Sequence, residues 1–128
     1  MIVADTDVLI DFLAGHEPGA ERVAREIERQ SLSTTAVTRF EVLCGARHVR
    51  QEDTIRQLLD ALPTLPLHQE AADRAARVRL ELERAGQSIG MADSLIAGIV
   101  LAHNGILLTR NRRHFQRVTG LELADLAV

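Results

Sequence analysis

The chain contains no lysine; all 15 of its basic residues are arginine. That removes Schiff-base lysines and the phosphate-binding lysine of a P-loop. There is no tryptophan or tyrosine and there are only three phenylalanines, too few for the base-stacking platform of an RNA-recognition sheet. The single cysteine, Cys44, allows neither an internal disulfide nor a cysteine-rich metal site. Long apolar runs are missing too, and none approaches the length of a membrane helix. The N-terminus does not read as a signal peptide, because Asp5, Asp7 and Asp11 interrupt its apolar stretch and no basic segment precedes it. A reducing cytoplasm is the simplest setting, with no membrane association.

What is present suits one packed domain. The 128 residues are enough for a single domain spanning 1–128, and 46% of them are apolar. The net charge of −3 rules out a polycation but not nucleic acid, since local patches matter more than the sum.

Short apolar runs alternate with helical patterns. "IVAD" (2–5) reads as a buried strand, and "TDVLIDFLAG" as a helix with Val8, Leu9, Phe12 and Leu13 on one side and Gly15 as its stop. "GAERVAREIERQ" is amphipathic. "SLSTTAV" carries a second strand of about four residues, and Thr35 or Thr38 can cap the helix "AVTRFEVLCGARHV" after it. A further helix covers roughly 52–62. "PTLPL" reads as an edge strand because of its prolines. Two helices follow, "HQEAADRAARVRLELERAG" and "MADSLIAGIVLAHNG", then the strand "ILLT", the short helix "NRRHFQRV" and a fifth strand at "LELA". Strands that are short, apolar and non-alternating imply parallel pairing with helices on both faces. The expected fold is a three-layer α/β/α sandwich on a parallel sheet of four to five strands. Ligands of such sheets bind beyond the C-terminal strand ends, where strand order reverses; Asp5 ends one strand and Thr109 another.

Most acids lie on helix faces among arginines, including Glu17, Glu21, Glu26, Glu28, Glu81 and Glu83. Three do not. Asp5 ends an apolar strand, where an N-cap is its ordinary role. Glu41 falls on a helical stripe with Val37, Phe40 and Cys44, and its ordinary role is a stripe-edge acid paired with Arg39 or Arg47. Asp93 shares a stripe with Ile96, Ala97 and Val100, and its ordinary role is to favour its own helix dipole. Together the three can converge at one strand-end cleft. Carboxylates so gathered repel unless a cation neutralises them. Oxygen ligands without cysteine or paired histidine select Mg²⁺ or Mn²⁺ over zinc, a set suited to phosphoryl transfer.

These segments resemble the PIN domains, specifically the small ribonucleases of the VapC-type toxin group from type II toxin–antitoxin systems. "VADTDVLIDFL" is similar to the family's opening Asp-Thr-Asn/Asp motif, "TRFEVLCGA" to its central Glu helix, and "ADSLIAGIVLAHNGILLTRNRRHF" to its second Asp helix and the strand-Thr-x-Asp/Asn segment. The motifs occur in family order over nearly the whole chain. The resemblance implies an Mg²⁺- or Mn²⁺-dependent endoribonuclease that hydrolyses RNA phosphodiesters with a metal-activated water. It implies metal binding by Asp5, Glu41 and Asp93, with Asn111 at the fourth catalytic position, where many relatives have Asp. A neutral amide there implies one firmly bound ion and a second bound weakly or with substrate. Thr6, Asp7 and Thr109 take supporting places, Asp7 standing where Asn is more usual. Arg110, Arg112 and Arg113 are placed to hold RNA phosphates. The implied partners are an RNA substrate, a cognate antitoxin protein that covers the cleft, and a second copy in a homodimer or higher homo-oligomer; DNA enters only through the antitoxin. Cys44 is expected to be packing, and His114 has no partner at metal-ligand spacing.

Of three alternatives, the first is excluded by the residues and two remain open at this stage. A response-regulator receiver domain also clusters acids on a strand end, but it needs a lysine this chain lacks, and "PTLPLH" ends in no Asp. A catalytically weak PIN domain acting as a protein- or RNA-binding module has Asn111 as its only support. An RNA-processing PIN nuclease without antitoxin has the same residues as a toxin.

Overall fold

The computed structural model describes residues 1–127; Val128, the last residue of the expected domain, lies outside them. The chain runs β1 (Ile2–Ala4), α1 (Thr6–Ala14), α2 (Gly19–Glu28), β2 (Leu32–Thr35), α3 (Ala36–Cys44), α4 (Val49–Asp60), β3 (Thr64–Leu65), α5 (Gln69–Arg84), α6 (Met91–Ala102), β4 (Ile106–Leu108), α7 (Arg112–Phe115) and β5 (Glu122–Leu123). All five strands are parallel, in the order β3-β2-β1-β4-β5. The chain builds outward from β1 to one side, then returns to lay β4 and β5 on the other. The order therefore reverses at β1 and β4, whose C-terminal ends carry Asp5 and Thr109. The Asp5 N–H donates to Leu108 O at 2.9 Å, which ties those two ends together.

Alternation along the central strands separates two cores. Ala4 and Leu108 face one way, onto α1, α2, α3 and α4 through Val8, Leu9, Val23, Val42, Ile55 and Leu59. Val3 and Leu107 face the other way, onto α5, α6 and α7 through Val78, Leu82, Ile96, Val100 and Phe115. This is the expected sandwich, with both faces of the sheet covered.

Local chemistry explains most boundaries. Gly15 ends α1 at φ 73°, a left-handed position that suits glycine. Thr35, not Thr38, caps α3, its Oγ1 accepting the Thr38 N–H at 3.0 Å. That helix is shorter than its apolar pattern suggests. It stops at Cys44 before Gly45, and α4 begins at Val49, with His48 Nδ1 accepting the Gln51 N–H at 3.2 Å. The edge strand at "PTLPL" and the fifth strand at "LELA" both form, with two residues each. Glu26 departs from its expected exposed place. It is buried in α2, where the Ser31 hydroxyl donates to it and Arg22 and Arg29 stand 3.5 and 3.7 Å away.

Helices α5 and α6 meet closely at Gly98. A Cβ there would lie 2.5 Å from Ala71 O and 2.6 Å from Ala75 N. Alanine is about 1 kcal/mol better than glycine within a helix, yet a clash with backbone costs more, typically 1–3 kcal/mol. Gly98→Ala is thus expected to lower the melting temperature in a thermal denaturation scan; an unchanged or raised value would mean that the two helices separate freely.

Candidate metal centre

Asp5 and Asp7 stand at the end of β1 and the start of α1, Asp93 in the first turn of α6, and Glu41 in the second turn of α3, which follows β2. Asp5 is the first residue after β1 and the N-cap of α1. Its Oδ1 accepts the Thr6 N–H at 2.8 Å, and its Oδ2 accepts the Thr109 hydroxyl at 2.7 Å. The cap is therefore real, and it coexists with a second task, because Asp5 is only 5% exposed and surrounded by acids. Burial first, then the negative charge of Asp7, push its carboxyl up to about 7, against the lowering effect of Thr109 and Thr6; Asp93 raises it further.

Asp7 lies in the first turn of α1. Its Oδ2 accepts the Arg110 N–H at 3.0 Å and stands 3.3 Å from Thr109 Oγ1. Its Oδ1 is buried and has no hydrogen-bond partner. Burial raises the Asp7 carboxyl, partly offset by Arg110 and Thr109.

Glu41 comes from α3, half-buried, and its Oε1 accepts the Thr6 hydroxyl at 2.6 Å. Thr38 Oγ1 stands 3.2 Å from the same hydroxyl. The alternative role of a stripe-edge acid paired with Arg39 or Arg47 is not found among the described residues; Arg39 bonds Asp60 at 2.9 Å instead. The apolar stripe drawn around Glu41 is also displaced. Phe40 and Cys44 are exposed, so Cys44 is no packing residue, and the inward row is Thr35, Thr38 and Val42. Threonine fills that row because its hydroxyls are needed there: Thr35 caps, and Thr38 meets Thr6.

Asp93 sits in the first turn of α6, half-buried, with Ile96, Ala97 and Val100 buried behind it as expected. Burial raises its carboxyl; His114 lowers it, and Glu41 and Asp7 raise it. That mutual influence places Asp5, Asp7, Glu41 and Asp93 in one electrostatic cluster. Among the described residues no three His, Cys, Asp or Glu side chains already stand in an arrangement that closes on one ion.

The segment after β4 completes the crevice. The Thr109 hydroxyl accepts the Asn111 N–H at 2.9 Å, and Asn111 Nδ2 donates to Asp93 Oδ2 at 3.3 Å. His114, isolated in the sequence, is brought in by one turn of α7, with Nδ1 3.0 Å from Asn111 Nδ2 and 3.7 Å from Asp93 Oδ2. Its i+3 spacing from Asn111 was the signal available beforehand. Asp11 gave no such signal. It is 5% exposed and holds Arg110 Nε at 2.6 Å.

The three arginines of this segment do not behave alike. Arg110 is engaged by Asp11, and Arg112 Nη1 donates to Ala124 O at 2.6 Å, behind the crevice. Arg113 is exposed and has no ion pair or side-chain hydrogen bond among the described residues.

The donors fit a hard divalent cation. They are carboxylate, amide and hydroxyl oxygens, burial raises the carboxyls of Asp5, Asp7 and Asp93, with neighbouring acids adding to it at Asp5 and Asp93, and one buried carboxylate oxygen of Asp7 lacks a partner.

Comparisons with known proteins bear on the family and the fold. The chain is 28% identical to the tRNA(fMet)-specific endonuclease VapC of Shigella flexneri over 125 residues, 94% of each chain. It is 26% identical to ribonuclease VapC1 of Methanocaldococcus jannaschii, over 97% of this chain and 87% of that one. Its fold superposes on DNA-bound VapBC from Salmonella typhimurium with a TM-score of 0.85 at 24% identity, covering 98% of each chain. The family model of the PIN domain matches residues 2–121, and the chain belongs to that family.

Proposed function

We propose that this chain, as one domain over 1–128, is an Mg²⁺- or Mn²⁺-dependent endoribonuclease and the toxin of a toxin–antitoxin pair. The observation that carries the reading is the convergence of Asp5, Asp7, Glu41 and Asp93 on the β1–β4 crevice of a PIN-family chain. The relatives named as endonuclease and ribonuclease support it.

Asp5, Glu41 and Asp93 are the residues that would hold the ion, with Asn111 beside them. A bound divalent cation would acidify the attacking water and offset charge on the phosphate oxygens. The chain's own residues set the frame. Thr6 orients Glu41, and Thr109 orients Asp5 while also receiving the Asn111 N–H. Each hydroxyl fixes a carboxylate through one lone pair and leaves others free toward the crevice. Asp7 pins the Arg110 backbone, and the Asp11–Arg110 pair fastens the same loop to α1. No side-chain nucleophile is required. Arg113 is the arginine best placed to hold an RNA phosphate, since Arg110 and Arg112 are already engaged.

This reading predicts cleavage of a tRNA pool with Mg²⁺ or Mn²⁺, leaving 5′-phosphate and 3′-hydroxyl ends. Product ends can be identified by kinase labelling with and without prior dephosphorylation. Full activity in excess EDTA, or 2′,3′-cyclic phosphate ends, would contradict it.

The proposed partners are a cognate antitoxin, through which alone DNA is engaged, and a second copy of this chain. Solved relatives described as VapBC complexes support the first. The second is supported by an apolar groove beside Glu41, lined by Val37, Phe40, Leu67, Met91 and Leu95, in which Phe40 and Met91 are each 66% exposed. Phe40→Arg is expected to convert a wild-type dimer to monomer in size-exclusion chromatography with light scattering; an unaltered mass for the variant would place the dimer contact elsewhere. No described helix is long and apolar enough to cross a membrane, and the reading places the protein in the cytoplasm.

A further inference from the structure

The turn from Asn111 to His114 brings a nitrogen donor to a cluster that otherwise offers oxygen. Asp93 Oδ2, Asn111 Nδ2 and His114 Nδ1 form a triangle with edges of 3.3, 3.0 and 3.7 Å. A half-turn of the Asn111 amide about its last bond puts Oδ1 where Nδ2 stands. The triangle then has a carboxylate oxygen, an amide oxygen and an imidazole nitrogen at its corners. Adjacent ligands on an octahedral ion with bonds of about 2.1 Å lie roughly 3 Å apart. The observed edges are that long or slightly longer, so a single cation can close the face with small side-chain movements.

The platform is held from behind. Phe115, next to His114, is fully buried in the core under α6, and its N–H donates to Asn111 O at 3.3 Å. The Asn111 N–H is fixed by Thr109, and Arg112 ties the start of α7 to Ala124. The front is open, with the side chains of Asp93 and His114 25% and 44% exposed, which leaves room for water ligands and a phosphate.

We propose that Asp93, Asn111 and His114 form a mixed oxygen–nitrogen face for a divalent cation, and that His114 gives this centre a preference for Mn²⁺ over Mg²⁺. The proposal rests on the metal-centre reading above and assigns His114 a place within it. Mg²⁺ is hard, holds its waters and takes oxygen ligands, whereas an imidazole nitrogen is better accommodated by transition-metal ions such as Mn²⁺.

The test uses the metal-free full chain, titrated with MnCl₂ or MgCl₂ in a calorimeter, with pulsed EPR of the Mn²⁺ form. Wild type is expected to bind Mn²⁺ at least about tenfold more tightly than Mg²⁺ and to show a ¹⁴N coupling to the ion. His114→Ala and His114→Gln are each expected to weaken Mn²⁺ by about tenfold, change Mg²⁺ by less than about twofold, and abolish the coupling. Absence of ¹⁴N coupling in wild type, or equal weakening of both ions in the variants, would overturn the proposal. If Asp5→Ala still abolishes Mn²⁺ binding in that case, the oxygen centre stands and only the role of His114 fails. If wild type binds neither ion, the metal-centre reading fails with it.

Discussion

Asp5→Asn is expected to reduce metal-dependent RNA cleavage by roughly a thousandfold, equivalent to about 4 kcal/mol of lost transition-state stabilisation. The substitution removes one negative charge from the crevice and little else. Asn still caps a helix, so α1 keeps its start. Its one amide oxygen can still accept the Thr6 N–H, and its Nδ2 can donate to Thr109 Oγ1, whose proton then turns to Asp7 Oδ2 3.3 Å away. The backbone bond to Leu108 O keeps β1 tied to β4. A large loss of activity in a folded protein would therefore report the charge at this atom. Cleavage rates measured over a range of Mn²⁺ concentrations, with circular dichroism as the check on folding, decide it. Activity within threefold of wild type would remove Asp5 from the centre.

The second large effect concerns stability without metal. The Asp5 carboxyl ionises near 3.8 in an unfolded chain and at about 7 in the fold, where burial and Asp7 oppose its charge. The folded state thus holds this proton more tightly than the unfolded state. The contribution of Asp5 to stability is greatest at low pH and is lost as pH rises from about 4 through about 7. Above that range the ionised carboxylate costs on the order of 4 kcal/mol. Asp7 and Asp93 are raised in the same direction. Metal-free Asp5→Asn should accordingly match wild type only at about pH 3.5, below the unfolded value, and exceed it at pH 8, by roughly 10 °C in melting temperature. Saturating Mn²⁺ should reverse the order at pH 8, since the cation stabilises only the protein that retains the carboxylate. Parallel melting curves for the two proteins at both pH values, with and without Mn²⁺, provide the check. If the variant is less stable at pH 8 without metal, the ionised Asp5 carboxylate is net favourable in the fold and is not a strained ligand.

The layered fold was legible because its signals are one-dimensional. Apolar triplets such as "IVA" and "ILL" have one role in a chain of this length, and Gly15 and Thr35 mark the end of α1 and the start of α3 by backbone chemistry. The acids were legible for a related reason: Asp5 and Asp93 interrupt apolar patterns whose period is clear. What the sequence hid depends on faces that composition misstates. The inward row of α3 is built of threonines, so weighting by hydropathy chose Phe40 and Cys44, which are exposed. Glu26 and Asp11 are buried because partners distant in sequence or on the next turn satisfy them, Ser31 and Arg22 for one and Arg110 for the other. Arg110 and Arg112 looked alike as free cations, yet a carboxylate and a carbonyl from other elements engage them. His114 has only its i+3 spacing from Asn111 to mark it, because its other neighbour, Asp93, comes from a different element, α6.

On the proposed reading the β1–β4 crevice holds a catalytic divalent cation on Asp5, Glu41 and Asp93. Crystals soaked in Mn²⁺ and measured for anomalous scattering test it most directly. The expected map has a manganese peak about 2.1–2.3 Å from carboxylate oxygens of Asp5 and Asp93, with Glu41 bound directly or through water. A crevice without a peak, in protein that cleaves RNA in the same Mn²⁺ buffer, would contradict the account.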